Sequence, residues 1–188
     1  LVRKFDKLIR QEINRASEGK PAGITIKMNN LQERSMIDRL YEASRAGVKI
    51  QLLVRGICCL APGVDGQSEN ITVTRIVDRY LEHARVFVFH NDGEPVYIMG
   101  SADWMNRNLH NRIEVCFRVE DPRLKSEIAT ILELQLKDNC KAGYLTSQLE
   151  NKRVKNEFPR FQAQEAIYQW LKNKESHLTQ SVAPVTGQ

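Results

Sequence analysis

The stretch that decides the fold is GITIKMNNLQERSMIDRLYEASRAGVKIQLLVRG, residues 23–56. Its opening, GITIKM (23–28), is short, apolar and rich in β-branched side chains, which reads as a strand. NNLQERSMIDRLYEASRAG (29–47) then places Leu31, Met36, Ile37, Leu40, Tyr41 and Ala43 on one helical face. Asn30 is the expected N-cap, and Gly47 sits where the residue after the C-cap belongs. VKIQLLVRG (48–56) has the length and continuous apolarity of a buried strand. Strand, helix and strand joined by short links predict a βαβ unit, with parallel strands and a right-handed crossover. The fold class expected is α/β: a mixed sheet with flanking helices.

Outward from this unit, residues 2–18 space Phe5, Leu8, Ile9 and Ile13 as an amphipathic helix. Residues 56–72 form a long loop containing Gly56, Pro62, Gly63 and Gly66, in which Cys58 and Cys59 read as small buried packing residues. VTRIVDRYL (73–81) reads as a short helix. HARVFVF (83–89) and PVYIMG (95–100) read as a hairpin across an Asp-Gly turn. RIEVCFRV (112–119) alternates Ile113, Val115, Phe117 and Val119 against polar residues and reads as a further strand. Asp121 followed by Pro122 opens a helix over 121–139. The expected organisation is a domain over 1–141, then a connector from 142 with a terminal amphipathic helix (160–174) packed on the same domain up to 176. A disordered tail is expected over 177–188.

The 188 residues carry 41% hydrophobic and 27% charged side chains, ordinary for a globular chain. No apolar run is long enough to span a membrane. A formal charge of +5 favours anionic partners: phosphate chains, nucleotides, nucleic acid or acidic lipid. Four cysteines without regular spacing suggest reduced thiols in a cytoplasmic setting, with peripheral membrane association left open. The chain opens on Leu1 and reads as a piece of something longer.

The chemistry concentrates in YLEHARVFVF (80–89) and IMGSADWMNRN (98–108). In a strand, residues two apart share a face and lie ~6.5–7 Å apart, so His83 and Arg85 are expected to grip one tetrahedral anion together. Imidazole can act as nucleophile, acid or base near neutral pH, and guanidinium offers a fixed fork to phosphate oxygens. The turn at Gly100 offers close backbone approach, Ser101 a hydroxyl, and Asn106, Arg107, Asn108 and Arg112 follow. Small residue, hydroxyl and cation together suit an anion-cradling loop. Against this stands the plainer reading of a surface histidine among common basic residues.

H-x-R followed by a hairpin and a GS turn resembles the half-site of the phospholipase D superfamily, in which two halves face each other and one histidine becomes phosphorylated. More narrowly, GITIKMNNL, LLVRGICCLAPGV, SENI, SADWMNRNL and RIEV resemble the C-terminal region of bacterial polyphosphate kinases, nearly continuously from about residue 5 to residue 172. The resemblance implies reversible transfer of the terminal phosphate of ATP to inorganic polyphosphate through a phosphohistidine in a preceding domain. It implies that His83 binds the ATP phosphates and serves as acid or base, and that Arg55 contacts ATP. Arg85, Arg107, Arg112 and Ser101 are candidate polyphosphate contacts, with Lys27 and Asn29 ending a strand on what is expected to be the same edge. It further implies ATP or ADP and polyphosphate as partners, the upstream domains of the same polypeptide, and a homo-oligomer. Mg²⁺ would accompany ATP, with its ligands outside this chain and no metal residues assigned within it. The turn departs from the family, reading MGSADW where a serine is expected before SADW.

Two other readings compete. A phospholipase D-type phosphodiesterase or nuclease would use H-x-K, whereas Arg85 stands in the lysine position. A non-catalytic nucleic-acid-binding module would interleave aromatics with cations on an exposed face, but aromatics are only 7% and sit mainly in apolar runs.

Overall fold

The βαβ unit is present. In the computed structural model, which describes residues 1–181, β1 (Gly23–Met28) and β2 (Lys49–Val54) pair in parallel, with α2 (Arg34–Arg45) crossing between them. β3 (Ile71–Ile76) lies parallel to β2 on its other side. β4 (Arg85–Phe89) runs antiparallel to β1, and β5 (Val96–Gly100) and β6 (Cys116–Val119) continue outward from it. β7 (Ala142–Leu145) and β8 (Asn151–Arg153) extend the far edge as a hairpin. Among the described residues this makes one eight-stranded mixed sheet, in the order β6-β5-β4-β1-β2-β3-β7-β8. α1 (Val2–Ser17), α3 (Pro122–Leu136) and α4 (Ala163–Ser181) complete the elements.

Both faces of the sheet are covered, which explains why its central strands read as continuous apolar runs rather than alternating ones. Successive side chains point to opposite faces. Leu52 and Phe87 therefore join the large core beneath α1 and α2, while their neighbours Leu53 and Val86 join a smaller core with Leu132 and Ala163 of α3 and α4. The large core centres on Phe5, Phe87 and Trp104, whose ring centroids lie 4.6, 5.3 and 5.7 Å apart.

Several expectations are corrected. The segment 73–81 is not a helix: the β-branched run Ile71–Ile76 pairs with β2, and residues 77–84 follow without regular structure. The N-cap of α2 is Glu33, whose carboxylate accepts from Met36 N at 2.8 Å. Asn30 is occupied elsewhere. Gly47 does end α2, with a φ of +91° that a side chain would strain. Of residues 112–119 only Cys116–Val119 is strand, and of the alternating apolar residues Val119 alone is buried: Ile113, Val115 and Phe117 are 100%, 65% and 55% exposed. The polar Glu114 turns inward instead, to Ser101 and Asn108. In the loop after β2, Cys58 is half-buried but Cys59 is exposed. Where a connector was expected, β7 and β8 form. α4 runs through 177–181, and the remaining tail positions lie outside the described residues.

Candidate active site

Strand direction gathers the chemistry at one end of the sheet. The register pairs Lys27 with both Leu53 and Val86, Arg85 with Gly100, and Gly100 with Cys116. The ends of β1, β2 and β5 and the start of β4 therefore meet, bringing Asn29, Arg55, Arg85 and Ser101 to one edge. The C-terminal ends of parallel strands are where open α/β sheets place ligands.

Asp103 joins these groups. Trp104, fully buried, anchors the turn in the core, and its carbonyl accepts from Gln32 N and Glu33 N, both at 2.8 Å. Asp103 is thereby turned back on the end of β1. Its Oδ1 accepts from Asn29 N at 2.9 Å, Asn29 Nδ2 at 3.1 Å and Arg85 Nε at 3.2 Å, and its Oδ2 accepts from Asn30 Nδ2 at 3.0 Å. Burial works against the charge of Asp103, but the Asn29 and Asn30 donors and the Arg85 guanidinium outweigh it and hold the carboxyl below its ordinary range.

On one side of this hub, Arg55 Nε donates to Asn29 Oδ1 at 2.6 Å. On the other, Arg85 Nη1 lies 3.1 Å from His83 Nδ1 and donates to the His83 carbonyl at 3.1 Å. Arg55, Asn29, Asp103, Arg85 and His83 thus form one continuous hydrogen-bonded chain. His83 and Arg85 do meet, but not across a strand pleat as expected: β4 begins at Arg85, and the guanidinium folds back over an exposed His83. Because an arginine nitrogen can only donate, Nδ1 of His83 accepts and the ring proton is assigned to Nε2.

The other candidates are placed less centrally. Ser101 Oγ donates to Glu114 and accepts from Val115 N at 3.2 Å, so its hydroxyl is engaged within the turn. Gly100 has its close approach to β6 rather than to an open cradle: a Cβ there would lie 2.5 Å from Val115 O. Arg112 is 3.6 Å from Glu114. Arg107 is exposed and pairs with no carboxylate among the described residues. Lys27 is buried against Glu82 at 2.9 Å. Asp103 and Asn30 were legible only as members of their motifs; that an aspartate two residues past Ser101 would reach β1 depends on the burial of Trp104.

The carboxylates here do not fit a magnesium site. Asp103, Glu114 and Glu82 are each taken by cations or amides, and the described residues hold no group of three or more His, Cys, Asp or Glu side chains able to hold a metal ion. Among the described residues no helix is long and apolar enough to cross a membrane.

Residues 1–164 match the family model described as polyphosphate kinase C-terminal domain 2. The chain belongs to this family. It is 48% identical over 172 residues to a polyphosphate kinase of Vibrio vulnificus, covering 91% of this chain and 25% of that relative. Against a polyphosphate kinase of Yersinia pestis it is 51% identical over 166 residues, covering 88% and 24%. The chain therefore spans about a quarter of the length of these relatives. Among solved structures, polyphosphate kinase from Porphyromonas gingivalis superposes with a TM-score of 0.92 at 49% identity, covering 94% of this chain and 27% of that one. NucT from Helicobacter pylori shares the fold at a TM-score of 0.52 and 16% identity, covering 70% and 88%. The mixed sheet with flanking helices is thus the fold shared with the polyphosphate kinase structure and, more distantly, with NucT.

Proposed function

We propose that this chain supplies one half of the active site of a polyphosphate kinase, which moves the terminal phosphate of ATP reversibly onto inorganic polyphosphate through a phosphohistidine outside these 188 residues. The observation that carries the reading is the continuous hydrogen-bonded chain from Arg55 through Asp103 to His83, on one sheet edge of a member of this family. In the forward direction a histidine nitrogen outside this chain attacks the γ-phosphorus of ATP, the bond to the β–γ bridging oxygen breaks, and ADP leaves. The terminal oxyanion of polyphosphate then attacks the phosphohistidine, and the P–N bond breaks.

Residues of this chain stabilise the charge that moves. The Nη atoms of Arg55 bind phosphate oxygens, and Nε2–H of His83 donates to a phosphate oxygen or to the group that leaves. Because Asp103 holds Asn29 and Arg85, both ends of this arrangement are preorganised, the condition under which a fixed donor favours a transition state. Magnesium would travel with the nucleotide phosphates. Such chemistry suits the cytoplasm, where ATP is made, and needs the rest of the polypeptide to complete the site.

The test is Arg55→Ala in the complete polypeptide. Loss of one preorganised charge stabiliser is expected to lower ATP-dependent chain synthesis by ~10²–10³ without lowering Tm. Near-normal turnover would remove Arg55 from the site.

Arg107, exposed in the turn that follows Ser101 and Asp103, is proposed to touch a long polyanion. In Arg107→Ala, affinity for long-chain polyphosphate is expected to fall more than affinity for ATP. The slope of log affinity against log salt is expected to shrink by about 1, by analogy with counterion release from nucleic acids. Titrations of both ligands across a salt series check this, and equal losses for both would place Arg107 in the nucleotide pocket.

A further inference from the structure

We infer that Gln164, in the first turn of α4, is a positioning residue for His83, holding the irregular segment that delivers it to the site. The inference rests on the reading of His83 given above and adds what fixes it.

Residues 77–84 carry His83 but belong to no strand or helix. Packing does not hold them, since Val77, Tyr80 and Leu81 are 73%, 62% and 72% exposed. Side chains from other elements do. Gln164 accepts from Tyr80 N at 2.9 Å and donates through Nε2 to Tyr80 O and to Glu82 Oε1, both at 2.9 Å. It therefore closes a two-way bond on the main chain, as a neighbouring strand would. Glu82 Oε2 accepts from Lys27 Nζ at 2.9 Å and from Gln135 Nε2 at 2.6 Å. Gln162, just before α4, donates to Asp78 Oδ2 at 2.6 Å. His83 follows Glu82 directly, and its own N donates to Leu81 O at 3.1 Å.

Gln164 is itself fixed. Asp138, 3% exposed, accepts from Ala163 N through Oδ2 at 2.7 Å, and its Oδ1 accepts from the amides of Cys140, Lys141 and Ala142. The start of α4 is thus pinned to the end of α3 and to β7, and Gln164 passes that rigidity to Tyr80 and Glu82. The arrangement carries a cost: Gln135 Oε1 is buried without a partner while its Nε2 holds Glu82. A buried unsatisfied acceptor is destabilising, so the cluster is not optimised for stability alone.

The experiment follows the ring nitrogens of His83 by ¹⁵N NMR in the 188-residue chain, with amide hydrogen exchange at Tyr80. The wild type is expected to show one tautomer, with the proton on Nε2. Gln164→Leu, close in volume but unable to bond, is expected to cut Tyr80 protection by about tenfold and to turn His83 into a mixture of tautomers as Arg85 loses its fixed partner. Leu40→Ala, which opens a cavity under α2 on the opposite face, is expected to lower Tm while leaving the His83 signals as in the wild type. If Gln164→Leu does not fold, Glu82→Gln, which sets an amide donor against Lys27 and Gln135, is expected to give the same mixture. A wild type already mixed, or a variant with lost Tyr80 protection and unchanged His83 signals, would overturn the inference. Neither measurement needs turnover, so failure here is distinguishable from failure of the proposed activity, which His83→Ala addresses.

Discussion

Replacing Asp103 with alanine is expected to lower folding stability by about 3 kcal/mol and to abolish phosphate transfer. The side chains of Asp103 and Arg85 are 4% and 15% exposed, so the substitution leaves a largely buried guanidinium without its counter-charge. It also strands the amide hydrogens of Asn29 and Asn30, which have the carboxylate as acceptor. Asp103→Asn separates charge from shape and gives a pH signature. The folded-state pKa of Asp103 lies below its ordinary 3.8, so the carboxylate contributes stability that is fully present above that value. The contribution is lost as pH falls from 3.8 through the depressed folded value. Urea unfolding should therefore show the gap between wild type and Asp103→Asn widest near neutral pH and closing below pH 3.8. A gap independent of pH would mean that the loss comes from setting an amide against the Asn29, Asn30 and Arg85 donors and not from the carboxylate charge.

His83→Ala in the complete polypeptide is the second large effect, an expected ~10²–10³ loss of transfer rate in both directions. Stability should hardly move. His83 is exposed, and among the described residues the one hydrogen bond of its ring is to Arg85. Since Arg85 keeps Asp103, removing the imidazole opens no core cavity and strands no buried charge. Measuring kcat and KM with ATP, alongside Tm, checks this. A raised KM with unchanged kcat would make His83 a ground-state ligand rather than a group acting on the transition state.

How much of this was legible beforehand follows from which physics is local. The βαβ unit, α1 and the start of α3 announce themselves through periodicity, Gly47 and the Asp121-Pro122 pair, all set within a few residues. β3 is ambiguous in sequence because Val73, Ile76 and Tyr80 also fall at helical spacing, and only pairing with β2 decides for a strand. Residues 112–115 read as strand because their alternation is real, but it faces outward, reversed by the bonds of Glu114 to Ser101 and Asn108. At the site, Arg55 and Arg85 stand out as cations, and His83 as an imidazole, beside strand ends. Asp103 as the hub, and Gln164 acting on Tyr80 from a distant helix, depend on contacts with |i−j| of 74 and 84, which no local spacing encodes.

The most direct measurement is to incubate the complete polypeptide with ATP labelled at the γ-phosphate and magnesium, then map the acid-labile, alkali-stable label by mass spectrometry in wild type and His83→Ala. The expected result is label on a histidine outside these 188 residues, formed ~10²–10³ more slowly when His83 is absent. Label on His83 itself, or labelling at the wild-type rate in His83→Ala, would contradict the division of roles proposed here.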